Sequence, residues 1–371
     1  MKPADELELA EMIRAAKGPL RIVGGGTRRI GQMAGGEVLE TGGLSGISLY
    51  EPGALTLVAG AGTTLAEVEA ALAEGGQRLP FEVPDLRGLL GRVGASTIGG
   101  VAAANASGPR RIQAGACRDS LIGVRFVDGA GSIIKNGGRV MKNVTGYDLV
   151  KLMAGSHGSL GVMSEVAFKV LPRPEAETSL TRDGLTPAEA VTVMSRALGS
   201  PFEVTGAAYV AGQVRLRIEG MAGSVAYRLG ALTKMLGGGW AVAEAAQSSA
   251  LWVEVRDVAA FVGQPGAVWR ISVKPSAMPQ VLGIMADAQT VCDWGGGLIW
   301  ARVADTGDAQ AAALRGYLAQ IGGHATLVRA SAAVFEQVPA FHPAPTAIAA
   351  LATGLRAKFD PRSILNPGVM E

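Results

Sequence analysis

The sequence has little of several residue types on which common classes of protein depend. It contains only two cysteines, Cys117 and Cys292, in 371 residues. These are too few for a disulfide framework, or for a zinc or iron–sulfur site supplied by this chain alone. The 34 Lys and Arg residues are nearly balanced by 32 Asp and Glu residues. Without a large basic field, nucleic acid is not expected as a main partner.

The chain also lacks the apolar segments that direct a protein into or across a membrane. No run reaches the ~18 apolar residues of a spanning helix. Residues 1–17 are acidic and amphipathic, unlike the basic and then apolar start of a signal peptide. The sequence therefore predicts an enzyme-sized cytoplasmic protein.

Glycine, by contrast, is abundant. The chain has 53 glycines, roughly double the usual share of ~7%. This argues against a helical bundle, because a glycine inside a helix costs ~1 kcal/mol. It indicates many places where the backbone turns sharply or approaches a ligand closely.

The pattern of apolar residues predicts a mixed first half and a duplicated second half. Residues 20–23 read as a strand, and residues 121–128 and 132–135 as a hairpin. Proline and charge cluster at residues 172–186, which indicates a domain boundary. Residues 204–240 and 289–325 share strand, glycine turn, strand, helix and Gly-Gly at a lag of 85 residues. This layout predicts an antiparallel sheet with helices on one face, of the ferredoxin-like type.

A glycine triplet follows the first predicted strand. In Gly24-Gly25-Gly26-Thr27 the backbone amides can point inward as a nest, and a hydroxyl follows, which suits a diphosphate. A glycine turn without a ligand is an equally good interpretation of this segment alone. Neither a Gly-x-Gly-x-x-Gly nor a Walker-type motif occurs in the chain.

Two further segments combine small residues with hydrogen-bonding groups. Thr97-Ile98-Gly99-Gly100 continues through Asn105-Ala106-Ser107-Gly108, where small side chains would let a flat ring lie against the backbone. Tight helix packing is the alternative explanation. The third segment comprises residues 141–149 and 155–162, in which glycines at 155, 158 and 161 precede an apolar strand.

The order of these segments resembles the flavin-binding module of the vanillyl-alcohol oxidase/p-cresol methylhydroxylase (PCMH) superfamily. The sequence is Gly-Gly-Gly-Thr, Thr-Ile-Gly-Gly, Lys-Asn-x-Thr-Gly-Tyr-Asp-Leu and Gly-Ser-x-Gly-x-Leu-Gly-Val. Within that superfamily, the chain is similar to the FAD-binding E subunits of bacterial glycolate oxidases. The resemblance covers residues 18–175 and 355–371, and the region between is similar mainly in layout.

This resemblance implies an α+β protein with three segments. Residues 1–175 would form a two-subdomain PCMH-type FAD-binding domain, and residues 176–335 a ferredoxin-like antiparallel-sheet cap that meets substrate or partner. Residues 336–371 would return to the FAD domain. The implied cofactor-binding residues are Gly24, Gly25, Gly26 and Thr27 at the pyrophosphate; Thr97, Ile98, Gly99, Gly100, Asn105, Ser107 and Gly108 along the ribityl chain and isoalloxazine; and Gly158, Gly161 and Val162 by the adenine.

Some members of the superfamily tether FAD to a histidine near the first loop. Here that loop reads Thr27-Arg28-Arg29-Ile30, so we expect noncovalent FAD and no metal. The relatives carry a His-rich stretch that helps to bind the 2-hydroxy acid, whereas this chain has three histidines in all. His157 lies in a glycine-rich turn and is predicted to be exposed. The remaining catalytic candidates are His324, Arg270 and Arg329, for each of which a structural role is the alternative.

The resemblance implies an FAD-dependent oxidoreductase that oxidises glycolate, a small 2-hydroxy acid, to glyoxylate within a complex. The expected partners are a paralogous FAD subunit and an iron–sulfur subunit that takes the electrons. Through them the chain would reach the inner face of the membrane. Two alternatives stay open: a noncatalytic flavin relay or assembly subunit, and a stand-alone flavin oxidoreductase that acts on another alcohol.

Overall fold

The computed structural model describes residues 1–31, 35–138 and 146–370. Over these residues it forms seventeen strands and fourteen α-helices, numbered here along the chain. The strands are β1 (Leu20–Val23), β2 (Glu37–Glu40), β3 (Ile47–Glu51), β4 (Thr56–Gly60), β5 (Gln77–Arg78), β6 (Leu121–Val127), β7 (Ile133–Gly137), β8 (Val162–Lys169), β9 (Leu171–Pro172), β10 (Ala176–Arg182), β11 (Gly206–Val210), β12 (Gln213–Gly220), β13 (Ala241–Glu244), β14 (Ala267–Ser272), β15 (Gln289–Asp293), β16 (Leu298–Val303) and β17 (His324–Arg329). The helices are α1 (Glu6–Ala15), α2 (Leu65–Glu74), α3 (Arg87–Leu90), α4 (Ile98–Ala103), α5 (Arg111–Ala114), α6 (Cys117–Ser120), α7 (Leu149–Met153), α8 (Pro187–Leu198), α9 (Ala222–Leu236), α10 (Ala245–Arg256), α11 (Met278–Ile284), α12 (Ala311–Ile321), α13 (Ala332–Gln337) and α14 (Thr346–Phe359).

The first half of the chain is built on two small sheets. Strands β3-β4-β8-β6-β7 form an antiparallel sheet whose core includes Phe81, Phe126 and Phe168. Strands β1 and β2 pair in parallel, and a bridge between Leu20 and Leu365 adds the C-terminal segment to β1. The predicted strand at residues 20–23 and the predicted hairpin are confirmed by β1 and by β6–β7, whereas β2 and β3 were not expected.

The second half forms one eight-stranded antiparallel sheet in the order β13-β10-β12-β11-β15-β16-β14-β17. Its strands and helices alternate as two successive β-α-β-β-α-β units, joined edge to edge where β11 pairs with β15. This explains the duplication in the sequence. Gly237 and Gly322 end α9 and α12 at matching places with positive φ, which glycine adopts without strain. The α+β class and the ferredoxin-like antiparallel cap are thus confirmed, while the domain limits at 175 and 335 stay a prediction.

The two faces of this sheet pack differently. One face is covered by α8, α9, α11 and α12. The other face packs against Trp252 of α10 and Leu89 of α3, in a cluster that also buries Trp294 and Trp300, so this face turns toward the first half of the chain.

A cluster of ion pairs ties the two halves together. Arg217 on β12 forms a bidentate pair with Glu82, with Nη1–Oε1 and Nη2–Oε2 distances of 2.8 and 3.0 Å. Glu219, on the same strand, accepts from Arg110 Nε and Nη2, each at 2.9 Å, and from Arg78 Nη1 at 2.6 Å. Burial raises the pKa of Glu82, but Arg217 and Arg110 outweigh this and lower it to about 2. The cluster therefore stays fully ionised near neutral pH.

Candidate functional site

A cleft of about 210 Å³ opens where the loop after β1, the start of α4 and the turn at residues 155–161 meet. Nine of the predicted cofactor-binding residues line it: Gly24, Gly25, Gly26, Thr27, Thr97, Gly99, Gly100, Gly158 and Gly161. The fold brings these residues together from positions more than a hundred apart in the sequence, because the end of β1 and the start of β8 both border the cleft. Their individual roles toward a cofactor remain predictions.

The glycine loop owes its shape to close backbone contact. A Cβ on Gly25 would lie 1.5 Å from the carbonyl oxygen of Ala95, and one on Gly24 would lie 2.4 Å from Thr97 Oγ1. Gly26 has φ +67°. Among the residues that the structure describes, no acceptor bonds the N–H groups of residues 24–27. The loop therefore presents free backbone donors to the cleft, as an anion-binding nest does.

The wall opposite this loop is the short helix α4. Its N-cap Thr97 accepts a hydrogen bond from Gly100 N at 3.3 Å. Gly99 packs so tightly that an added Cβ would lie 2.6 Å from Ala61 Cβ. The small residues of this segment thus fit both the ligand-binding and the helix-packing interpretation, since they allow close packing and also leave the cleft open.

Arginines supply the charge of the cleft, a feature that the sequence pattern did not predict. Arg28, Arg29 and Arg92 line it, and no Asp or Glu is among its described lining residues. Arg28 donates from Nη1 to Thr27 Oγ1 at 3.2 Å, from Nη1 to Ser96 Oγ, and from Nη2 to the carbonyl of Pro84 at 2.8 Å. Its Nε is buried and bonded to nothing in the described structure. The cleft is therefore suited to an anionic ligand.

Asn366 and His157 close one side of the cleft. Asn366 Nδ2 donates to the carbonyl of His157 at 2.8 Å, and its Oδ1 accepts from Ile22 N at 2.7 Å. The prediction that His157 is exposed is wrong: its ring is half-buried, with its edge against Phe341 at a centroid distance of 5.5 Å. Burial lowers the pKa of His157 to about 4, so this ring is neutral at pH 7.

Five other predicted cofactor-binding residues are not among those that line the cleft. Ile98 and Val162 are buried in apolar clusters. Asn105 Oδ1 accepts from Arg118 N at 3.0 Å, and Ser107 Oγ accepts from Arg111 Nη1 at 3.0 Å. The carbonyl of Gly108 accepts from Trp294 Nε1 at 3.0 Å. The segment 105–108 thus lies between the cleft and the cap. Residues 141–145 of the third segment lie outside the described residues.

A second group of cations lies on the cap face beyond this segment. The Cζ atoms of Arg111 and Arg270 lie 4.7 and 5.3 Å from the centroid of the Trp294 ring. Arg270 is largely enclosed, and no carboxylate or other acceptor among the described residues bonds its guanidinium. Burial and the charge of Arg111 lower the pKa of Arg270 to about 10. It is therefore a cation at pH 7 with no counter-ion among the residues that the structure describes.

A series of neighbouring residues leads from this cationic pair to the cleft. His324 stands opposite Ser272 across the β14–β17 pair, two residues along β14 from Arg270 and so on the same face. Partial burial and then the charge of Arg270 lower the pKa of His324 below its usual value. The next residue, Ala325, donates from its N–H to Nδ1 of His342 at 3.3 Å. His342 follows Phe341, which lines the cleft.

The third catalytic candidate, Arg329, has different surroundings. It donates to the backbone carbonyls of Gly266, Leu89, Phe261 and Gln264 at 2.8–3.2 Å. These bonds fasten α3 and the loop before β14 to the end of β17, which favours its structural alternative.

The described part of the chain lacks two further kinds of feature. No group of three or more His, Cys, Asp or Glu side chains is placed to hold a metal ion there. No helix in the same residues has the length and apolar character needed to cross a bilayer.

Comparisons with known proteins identify the family and the fold of the chain. A family model described as an FAD binding domain matches residues 1–137. The chain is 34% identical to glycolate oxidase subunit GlcE of Escherichia coli K12 over 98% of this chain and 96% of that protein. It is 44% identical over 85 residues to glycolate oxidase subunit GlcD of Bacillus subtilis 168, covering 23% of this chain and 18% of GlcD. A solved alkyldihydroxyacetonephosphate synthase shares the fold, with a TM-score of 0.70 and 15% identity over 99% of this chain and 76% of that one.

Proposed function

The chain belongs to the glycolate oxidase subunit GlcE family of FAD-binding flavoproteins, and we propose that it oxidises glycolate to glyoxylate, with FAD in the cleft described above and the substrate at the neighbouring cationic pair on Trp294. In this reaction the substrate carbon loses a hydride and the hydroxyl loses a proton. Bound FAD would supply the acceptor for the hydride, which carries both electrons of the oxidation. The rest of the proposal concerns what the protein's own residues do.

The residues of the cleft fit FAD held without a covalent bond. The free N–H groups of residues 24–27 and the guanidinium of Arg28 suit the two negative charges of a diphosphate. Residues 27–30 include no histidine, so the tether known from some relatives has no counterpart in this loop. We therefore expect the cofactor to be released on unfolding.

The observation that carries the substrate assignment is the cationic pair on Trp294. Arg270 is an enclosed guanidinium with no acceptor among the described residues, and Arg111 lies against the same ring. A buried charge without a partner is costly, and a small carboxylate would relieve that cost through charge-assisted hydrogen bonds. A 2-hydroxy acid brings this carboxylate and places its alcohol carbon next to it. We further propose that His324, whose pKa is lowered by partial burial and then by Arg270, takes the hydroxyl proton.

The test is an anaerobic titration of the isolated FAD-loaded chain with glycolate, followed by bleaching of the yellow flavin band. Arg270→Met should lower kcat/KM by ~10–100-fold, because a hydrogen bond to a charged group contributes about 1.5–3 kcal/mol. Arg182→Met is the matched control, since Arg182 also lies over a tryptophan, Trp240, at 6.0 Å. It should change kcat/KM less than twofold.

The same titration separates the alternatives. If glycolate leaves the flavin of the wild-type chain oxidised while the assembled complex is active, the substrate binds on a partner and the chain is a relay. Bleaching by other alcohols and not by glycolate would favour a stand-alone oxidoreductase. We further propose that the electrons leave to an iron–sulfur subunit and that the complex works in the cytoplasm, at the inner face of the membrane.

A further inference from the structure

Helix α14 (Thr346–Phe359) contributes no buried residue to the described cores of the protein. None of its fourteen residues is buried. Ile348, Leu351 and Leu355 are 55, 66 and 42% exposed. Their spacing of three and four residues places them on one face of the helix. The helix thus presents an apolar stripe to solvent.

A helix of this kind is poorly stable by itself. Fourteen residues is near the length of ~12–15 below which isolated helices are marginal in water, and Gly354 costs ~1 kcal/mol more. Most helical stability in proteins comes from the packing of an apolar face, so α14 would gain stability from a partner that covers the stripe.

The C-terminal end of α14 is anchored beside the flavin cleft, and its N-terminal end follows that cleft closely in the sequence. Phe341, which lines the cleft, precedes the helix by five residues. In the last turn, Arg356 Nη2 donates to the carbonyl of Val369 at 2.7 Å, and Val369 also lines the cleft. Phe359 packs against Phe126 at a ring-centroid distance of 6.1 Å. A protein bound on α14 would therefore lie along the edge of the cofactor site.

We propose that the apolar face of α14 is the docking surface for the subunit of the oxidase that accepts electrons from this chain. This inference rests on the proposed function, in which electrons leave the cofactor cleft for another subunit, so the acceptor must lie close to that cleft. The helix contains no acidic residue, and Lys358 in its last turn is exposed. The complementary surface is an apolar groove with acidic side chains at the end that meets this turn.

The first test uses thiol accessibility in the assembled complex. Both native cysteines, Cys117 and Cys292, are fully buried, so Leu351→Cys introduces an accessible thiol. A maleimide should label it readily in the lone chain and at least tenfold more slowly in the complex. Leu7→Cys on α1 is the matched control, because Leu7 is 67% exposed. It should label at the same rate in both samples, and equal labelling of Leu351→Cys in both would overturn the proposal.

The second test is co-purification of the oxidase subunits with a tagged chain. Leu351→Glu should reduce the recovered electron-accepting subunit at least tenfold, whereas Leu7→Glu should not. FAD content and bleaching by glycolate in the lone Leu351→Glu chain should equal those of wild type, because the side chain is exposed and outside the cleft. Loss of a GlcD-like subunit alone, or loss of self-association alone, would overturn the choice of partner.

The two proposals fail in different ways. If the Leu351→Glu complex falls apart while glycolate bleaches neither wild type nor variant, the docking surface stands and the substrate assignment falls. If the Leu351→Glu complex stays intact and glycolate bleaches the flavin normally, the substrate assignment stands and the docking surface falls.

Discussion

The carboxyl group of Asp293 is buried at the junction of β15 and the turn that carries Trp294. It is 2% exposed, and its Oδ1 accepts from Trp294 N at 2.7 Å. Burial raises the pKa of Asp293 to about 7, against a lowering by the Trp294 hydrogen bond. Because Trp294 also donates to Gly108 and lies between Arg111 and Arg270, this carboxyl helps to position the proposed substrate site.

The raised pKa of Asp293 determines how the stability of the protein changes with pH. The unfolded chain ionises Asp293 near its ordinary pKa of 3.8, whereas the folded protein keeps the proton up to about 7. The group therefore costs stability increasingly as the pH rises from 4 to 7, by about 1.4 kcal/mol for each pH unit in that range. Asp293→Asn keeps the acceptor for Trp294 N and removes this cost. We expect its Tm to exceed that of wild type at pH 8 and to equal it at pH 4 in thermal unfolding scans. A gain independent of pH would contradict this explanation.

At the scale of single elements, the loop after β1 depends on the absence of one side chain. A Cβ on Gly25 would lie only 1.5 Å from the carbonyl oxygen of Ala95, so the backbone must move to accept even a methyl group. The free N–H groups of residues 24–27 would then no longer converge.

Gly25→Ala should therefore lower the bound FAD at least tenfold, as measured by flavin absorbance per chain after gel filtration. Gly53→Ala is the matched control, because nothing lies within 4 Å of an added Cβ there and its φ is not positive. This control should keep wild-type FAD content. Full FAD occupancy in Gly25→Ala would show that this loop is not part of the cofactor site.

At the scale of the whole molecule, the ion-pair cluster holds the cap on the first half. Arg217 is fully buried and pairs with Glu82 across the boundary. Removing one partner leaves an uncompensated buried charge, so Arg217→Met should cost ~3–5 kcal/mol of unfolding free energy. Arg302→Met is the control, since Arg302 occupies the matching position in the second unit but bonds only Gln289 and the carbonyl of Pro265 among the described residues.

The pKa of Glu82 predicts where this contribution disappears. It is lowered from 4.5 to about 2 in the folded protein, so the stabilisation is complete above pH 4.5 and is lost as the pH falls toward 2. In urea titrations, the gap in stability between wild type and Arg217→Met should therefore narrow between pH 4.5 and 2. A constant gap over that range would show that packing, and not charge, carries the effect.

The sequence alone was sufficient for the features that depend on local backbone requirements. Glycines must follow the strand at residues 20–23 because the loop touches other backbone, and their order along the chain identified the family and the fold. The duplicated units were visible because each repeats the same local succession of strand, turn and helix.

Only the tertiary structure decided the features that join distant segments. Arg111 and Arg270 meet on one tryptophan, Asn366 closes the cleft from the C-terminus, and His157 is covered by Phe341. The sequence likewise does not reveal that no described element covers Ile348, Leu351 and Leu355, because an apolar stripe along a helix normally predicts that this face of the helix is buried. Each of these depends on which surfaces the fold brings together, and local spacing carries no record of a contact between residues a hundred or more apart.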